Sequence, residues 1–407
     1  MNIIPGGVTA AKGFQAAAAE ANIKYKDRSD MALVYSEVPA VSAGVFTTNV
    51  VKAAPVLWDI QLIKEQKTAQ AVVLNSGIAN ACTSHIGEEI NQYMAEQAAQ
   101  ALQIPANQVL TASTGVIGMQ IPKDKIEKGI PLLKAALSHS TKAGTKAAEA
   151  IMTTDTRCKQ CAVEIQIDGK TVTLGAMVKG SGMIHPNMAT MLAVLTSDIS
   201  ISKEMLQTAM SEVVQKTFNM ISVDRDTSTN DTYIALANGL AANSEITENG
   251  EDYQTFKEGL LYVSTQLAMQ MAADGEGATK LFETQVLNAD TEEHAATLAK
   301  SVITSNLVKT AIYGSDANWG RILCALGYAG IPFDPSQTDL YIESENGRLQ
   351  LVKNGLATNY SEEKATQILS AEKVTAIADM HAGSANATAW GCDLTYDYVK
   401  INGDYRS

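Results

Sequence analysis

Apolar positions along the chain switch between a two-residue period and one of nearly four. Val163, Ile165 and Ile167 alternate with polar residues, Asp168-Gly169 interrupts, and Val172, Leu174 and Ala176 alternate back. Two alternating runs joined by Asp-Gly predict a β-hairpin, because that pair readily takes the left-handed backbone of a tight turn. Residues 340–342 and 349–352 around Asn346-Gly347 predict a second one. Short apolar runs predict strands at 71–74, 109–111, 191–195, 232–236 and 281–287, and alternation over 393–401 predicts a late strand. The wider period predicts helices. Ile90, Met94, Ala98 and Leu102 share one face of 87–102, and Leu206, Met210, Val214 and Phe218 follow Ser202, a suitable N-cap. Residues 124–148 read as mostly helical with lysines on the wet side, and 254–273 and 295–304 complete the set. Strands and helices interleave, yet hairpins require antiparallel neighbours. The expected class is α/β (α+β) with mixed and antiparallel sheets, not a purely parallel doubly wound sheet.

The predicted hairpin delivers the chain to the stretch 179–198, KGSGMIHPNMATMLAVLTSD. Its first half, 179–187, is loop: Gly180, Ser181, Gly182 and Pro186-Asn187 are breakers. Its second half enters the apolar run. Thr190 stands at the junction, after the small Ala189. A hydroxyl there would sit at the mouth of a rigid element, where catalytic groups are best held. Glycine backbone beside it admits close approach of a ligand, and Lys179 could bring charge to an anionic substrate. The plain alternative is a loop entering a core strand.

Composition narrows the classes. The chain has 407 residues, 46% hydrophobic and 18% charged, enough for a large core and long enough for two or three domains. A net charge of −13 argues against a phosphate-backbone binder, which needs a basic face. No stretch reaches the ~18 consecutive apolar residues of a membrane span, and MNIIPGG lacks the features of a signal peptide. A cytoplasmic enzyme is expected. Cys82, Cys158, Cys161, Cys324 and Cys392 are odd in number and scattered, so no disulfide framework is read. Cys158 and Cys161 form a lone CxxC without a second pair or clustered histidines, so no metal is expected.

Particular blocks carry a resemblance. GVTAAKGFQAA, AGVFTTN, VLNSGIANACT, STGVIG, IMTTDT, the central ATML stretch, DGEGATK, SDANWGRI and the terminal INGDYRS occur in that order over nearly the whole chain. In this the chain resembles the ornithine acetyltransferase family, the glutamate N-acetyltransferases of arginine biosynthesis. The resemblance implies a layered α-β-β-α fold like that of the N-terminal nucleophile hydrolases. It implies self-cleavage between Ala189 and Thr190, leaving an α chain of 1–189 and a β chain whose parts are 190–280, with the nucleophile, and 281–407. It implies Thr190 as nucleophile and Thr114 with Gly115 as oxyanion hole. Thr153, Lys179, Thr190, Glu276, Asn402 and Ser407 are the implied substrate contacts, with two chains of each kind in the assembly.

Elementary chemistry agrees with that assignment. A Thr hydroxyl needs a base to take its proton, and no Ser/His/Asp triad can be picked from spacing. A freed α-amino group, with a pKa of about 8, is partly neutral at neutral pH and sits on the same residue. Cleavage would therefore create the base. The implied reaction moves acetyl from N2-acetyl-L-ornithine to Thr190 and then to L-glutamate, without cofactor or metal. Some members also draw on acetyl-CoA, and nothing in the chain decides that point. A self-processed aminopeptidase or amidase of the same fold would use the same Thr with water as acceptor. An amino-acid-binding regulator could keep the pocket without the cut. A nucleotide site at Gly180-Ser181-Gly182 lacks the GxxxxGK[ST] pattern. The blocks around Asp224-Arg225-Asp226, Ser228–Asp231 and Asp316–Arg321 gain no role, and buried structural loops are the expectation for them.

Overall fold

The computed structural model describes residues 1–185 and 191–404. They fall into two compact units. One holds Met1–Gly180, Asn187–Thr217 and Thr227–Leu267; the other holds Ser181–Pro186, Phe218–Asp226 and Ala268–Ser407.

The first unit is built on a nine-stranded sheet. Its order is Asn2–Ile4, Lys159–Ile167, Lys170–Lys179, Leu192–Ser197, Thr232–Ala237, Met31–Phe46, Thr68–Asn75 and Val109–Ser113, with Phe14–Ala19 also paired to Met31–Phe46. Leu192–Ser197 lies inside it, antiparallel to Lys170–Lys179 and parallel to Thr232–Ala237. All six of its residues are buried, which explains an unbroken apolar run rather than an alternating one. Elsewhere the two-residue period sorts side chains between two cores. Ala32, Val34, Val72, Leu74, Leu110 and Ala112 join Ala147, Ala148 and Ala150 of the helix Thr141–Ala150. Met31, Leu33, Ala71, Val73 and Val109 join Ile90, Met94, Ala98 and Leu102 of the helix Ser84–Leu102.

The expected hairpin is present. Lys159–Ile167 and Lys170–Lys179 pair antiparallel, and Asp168 (φ 49°) and Gly169 (φ 65°) take the left-handed turn. Ser202 caps the helix Lys203–Lys216 by accepting from the Met205 N–H. The helical stretch expected over 124–148 is two helices, Lys123–Ala136 and Thr141–Ala150. Ser140 divides them, since its hydroxyl accepts from the Ala143 N–H and starts a new helix. The 16-residue strand Met31–Phe46 was not foreseen. Pro39 lies within its register shift between Tyr35 and Ala40, so the interruption disguises one strand as two fragments.

The second unit carries a seven-stranded sheet in the order Leu356–Ala357, Gly347–Lys353, Asp339–Ser344, Lys373–Asp379, Leu281–Ala289, Ala385–Cys392 and Ile221–Ser222. The helix Glu292–Ile303 packs on Leu281–Ala289 and Ala385–Cys392 through buried Leu298, Ala299, Val302 and Ile303. The second hairpin, Asp339–Ser344 with Gly347–Lys353, is also found. Both sheets mix parallel and antiparallel pairs, as the α/β (α+β) expectation requires.

One expected strand is overturned. Residues 393–401 do not pair; Tyr396–Gly403 is a helix opening after Thr395. Leu394, Tyr398 and Ile401 are the half-buried positions, while Tyr396 and Val399 are 84% and 70% exposed. That spacing is helical, and the apparent alternation came from counting exposed Tyr396 as an inward residue. Among the described residues no helix is long and apolar enough to cross a membrane.

Leu236 is wholly buried in the first unit's core, on a strand beside Leu192–Ser197. Leu236→Ala is expected to cost about 2–5 kcal/mol by urea unfolding. A loss under about 0.5 kcal/mol, usual for a surface site, would contradict this placement.

Candidate active site

In the first unit the chain brings Thr114, Gly115, Thr153 and Lys179 to one place. Thr114 and Gly115 follow the end of the strand Val109–Ser113, where the Thr114 N–H donates to Asn75 O (3.0 Å) and the Val116 N–H to Gly77 O (3.1 Å). Gly115 has φ +131°, and a Cβ there would lie 2.2 Å from Gly77 C. Only glycine allows both the dihedral and the approach. Among the described residues no hydrogen bond uses the Gly115 N–H, which leaves that donor for a ligand.

Lys179 ends the strand Lys170–Lys179 and is 3% exposed, so it is not the surface lysine that its residue type alone would suggest. Its Nζ donates to Thr114 Oγ1 (3.2 Å) and Thr153 Oγ1 (2.9 Å). An ammonium has no lone pair, so both hydroxyl oxygens must be acceptors here. The hydroxyl protons are then directed elsewhere. Thr114 Oγ–H and the Gly115 N–H are thereby both available to a carbonyl oxygen acquiring negative charge.

A buried ammonium needs an anion nearby. Asp155 supplies it. Its Oδ1 accepts from Lys159 Nζ (2.6 Å) and from the Gly180 N–H (2.8 Å), and its Oδ2 from the Thr153 N–H (3.0 Å). The Lys159–Asp155 side chains are 1% and 0% exposed. Burial pushes the Asp155 carboxyl up, but the Lys179 and Lys159 ammoniums and these hydrogen bonds outweigh it and bring it to about 2. Asp155 thus meets two ammoniums, Lys159 in a direct ion pair and Lys179 through its charge, beside Thr114 and Thr153. Asp155 and Lys159 escaped the sequence reading, since Asp155 lies in a loop and Lys159 opens a strand, where no helical spacing pairs them.

The second unit holds Glu276 and Asn402 together. Glu276 is 6% exposed, its N–H donates to Ser181 O (3.0 Å), and its Oε2 accepts from Asn402 Nδ2 (2.6 Å). A Cβ on Gly182 would lie 2.3 Å from the Glu276 carboxylate, so glycine there makes room for that side chain. Gly277 has φ +70°, and its carbonyl accepts from Thr395 Oγ1 (2.7 Å) at the start of the helix Tyr396–Gly403. That helix, not a paired strand, carries Asn402. Tyr398, one turn earlier, donates to Asp224 Oδ2 (3.3 Å). Burial and the nearby carboxylates of Asp224, Asp226 and Glu276 hold the Tyr398 hydroxyl well above its ordinary range. Asp224 in turn accepts from the N–H groups of Met183 (2.6 Å) and Ile184 (2.9 Å). The Asp224 block therefore organises the loop after Gly180, a role the sequence left unassigned. Ala189, Thr190 and Ser407 lie outside the described residues. Nearest to Thr190 in the chain, Met191 is described, and its N–H donates to Asp231 Oδ1 (3.1 Å). Among the described residues no His/Cys/Asp/Glu group could hold a metal.

Comparison with known proteins adds the family. A model of the ArgJ family matches residues 15–407. The chain is similar to the "Arginine biosynthesis bifunctional protein ArgJ" of Caldanaerobacter subterraneus subsp. tengcongensis, 50% identical over 407 residues and the whole of both chains. The protein of the same description from Symbiobacterium thermophilum is 51% identical over 409 residues, again over 100% of each. A crystal structure of the Bacillus halodurans arginine biosynthesis bifunctional protein argJ is 44% identical, with a TM-score of 0.50; the match covers 52% of this chain and 97% of that one.

Removing Asp155 should reveal its charge. The folded carboxyl titrates at about 2, below its ordinary 3.8, so its ionisation stabilises the fold above pH 4 and that contribution is lost as pH falls through 2. Asp155→Asn leaves buried lysines uncompensated and is expected to cost about 3–5 kcal/mol at neutral pH. The deficit relative to the unaltered protein should narrow as pH drops from 4 towards 2, read by denaturant unfolding at each pH. A deficit that stays constant or widens would contradict the assignment.

Proposed function

This chain belongs to the ArgJ family, and from that premise we infer that it is an acetyltransferase of arginine biosynthesis that uses Thr190 as nucleophile. The observation that carries the reading is the buried Lys179 ammonium, which fixes Thr114 Oγ1 and Thr153 Oγ1 as acceptors and leaves Thr114 a donor beside Gly115. Acyl transfer needs such a pair. Loss of one donor at a site of this kind typically costs about 10²–10³ in rate.

The proposed sequence begins with the chain itself. The Thr190 hydroxyl attacks the Ala189 carbonyl, the peptide shifts to an ester, and water releases residues 1–189 from 190–407. The β chain then runs through 190–280, with the nucleophile, and 281–407. The new α-amine takes the hydroxyl proton when Thr190 attacks the acetyl carbonyl of N2-acetyl-L-ornithine. Thr114 and Gly115 hold the oxyanion. The C–N bond breaks, the amine leaves as ornithine with that proton, and acetyl-Thr190 remains. The amine of L-glutamate attacks the ester in the second half, giving N-acetylglutamate and free Thr190. This is ping-pong transfer without cofactor or metal. The relatives' name includes the word bifunctional. The same ester formed from acetyl-CoA, with the thiolate leaving, would be a second entry to the cycle.

Lys179 and Thr153 serve the substrate's carboxylate side. Glu276, with Asn402 hydrogen-bonded to it, offers its carboxylate to the ammonium group, and Ser407 completes the contacts. The two cut chains stay together, two of each in the assembly, in the cytoplasm.

Purified protein is expected to give two fragments of similar size, the second beginning at Thr190 by mass analysis, and Thr190→Ala should neither cut nor transfer. A new N-terminus elsewhere, or transfer by Thr190→Ala, would overturn the assignment. Supplied with N2-acetylornithine, the enzyme should form ornithine quickly only when glutamate is present. Free acetate released at one rate with and without glutamate would favour the amidase. Lys179→Ala should lower kcat/KM about 10–100-fold, the effect of losing a hydrogen bond to a charged group; an unchanged value would remove Lys179 from the site.

A further inference from the structure

The stretch Thr227–Thr232 joins segments that are distant in sequence, all within the first unit. Asn49 Nδ2 donates to Thr227 O (3.0 Å), Thr47 Oγ1 to Ser228 O (2.7 Å) and the Ala53 N–H to Thr229 O (2.9 Å). Ser228, Thr229, Asn230 and Asp231 are 4%, 8%, 5% and 0% exposed. This block was read from sequence as a structural loop. Its next two side chains reach further.

Asn230 Nδ2 donates to Ala79 O (2.6 Å) and Ser113 O (2.8 Å), while its Oδ1 accepts from Thr229 Oγ1 (2.6 Å). Ser113 O belongs to the peptide plane whose N–H is that of Thr114. Ala79 O belongs to the loop that also contains Gly77, the residue against which Gly115 is packed. Both amide protons therefore tie the two backbones that define the oxyanion pair. No other side chain of this length carries two donors on one atom: Asp has none when ionised, and Gln is a methylene too long. One residue on, Asp231 Oδ1 accepts from the N–H of Met191, the residue that follows Thr190 in the chain. The Thr232 N–H returns a bond to Met191 O (2.9 Å). Burial pushes the Asp231 carboxyl well up, against the Met191 and Thr47 hydrogen bonds and the Lys179 charge.

We propose that Asn230 is a positioning residue of the acyl-transfer reaction: it fixes the Thr114–Gly115 backbone through Ser113 O and Ala79 O, while the adjoining Asp231 fixes Met191, the residue that follows Thr190 in the chain. This rests on the assignment of Thr190 and of Thr114 with Gly115 made above. Misplacement of about 1 Å in such a site costs on the order of 10²-fold in rate.

The test is a double-mutant cycle in the full chain with Asn230→Asp and Thr114→Ala, with Asn230→Ser as a second variant if the first does not fold. kcat and KM are measured for transfer from N2-acetylornithine to glutamate, per cut chain by denaturing gel, beside thermal melting. The expected result for a folded Asn230 variant is kcat down by about 10²-fold with KM nearly unchanged. Because Thr114→Ala removes one of the two donors that Asn230 positions, the loss in the double variant should fall well short of the product of the two single losses. Losses that multiply, a kcat within about twofold of the unaltered enzyme, or failure of both Asn230 variants to fold would each overturn the proposal. If Thr114→Ala leaves kcat intact, or Thr190→Ala still transfers, the underlying assignment fails, and the two failures are told apart.

Discussion

A lysine ammonium buried beside a carboxylate is the constraint from which the first unit's site follows. Lys179 is 3% exposed at the end of a strand, and Asp155 is held ionised by it and by Lys159. Taking such charges out of water is costly unless partners are in place. The partners fix everything near them. Asp155 holds the Gly180 and Thr153 N–H groups, and Lys179 holds the Thr114 and Thr153 hydroxyls. A strand end, a turn and the Thr114 loop are thus joined by one set of charge-assisted hydrogen bonds. The proposed acyl transfer needs donors already oriented before reaction, and the network holds the Thr114 hydroxyl in one place.

The second unit solves a related problem with a different device. Glu276 is buried against Gly182, where any larger residue would displace its carboxylate, and Asn402 binds it from a helix whose start is seated on Gly277. Gly275, Glu276 and Gly277 therefore form more than a turn. The following glycine gives the helix its seat, and the acid between the two is held by contacts from both sides of the sequence. The Asp224 carboxylate orders the loop after Gly180 in the same unit, through Met183 and Ile184.

Local patterns were legible where a single face or turn decides them. The Asp168-Gly169 hairpin, the Ser202 cap and a buried strand over the apolar run 191–195, observed as Leu192–Ser197, all appear as the pattern predicts. Interrupted or two-way patterns were not. Pro39 hid the long strand Met31–Phe46, Ser140 divided a helix, and the stretch 393–401 satisfied both periods until burial of Tyr398 and Ile401 chose the helix. At the site, Lys179 was legible as a candidate from the glycine-rich loop it opens, whereas Thr114, Gly115 and Glu276 were candidates only through the family resemblance that their motifs carry. Their supports were not. Asp155 reaches the Gly180 N–H, and Asn230 and Asp231 act through carbonyls and N–H groups far along the chain, and no periodicity records such partners.

The central claim is a covalent acetyl group on Thr190. Its most direct measurement is intact mass of both fragments after mixing the enzyme with N2-acetylornithine in the absence of glutamate, followed by peptide mapping. The account predicts that the fragment beginning at Thr190 gains the mass of one acetyl group, mapped to that residue, and loses it when glutamate is added. No gain on either fragment, or an acetyl group mapped elsewhere that does not pass to glutamate, would contradict it.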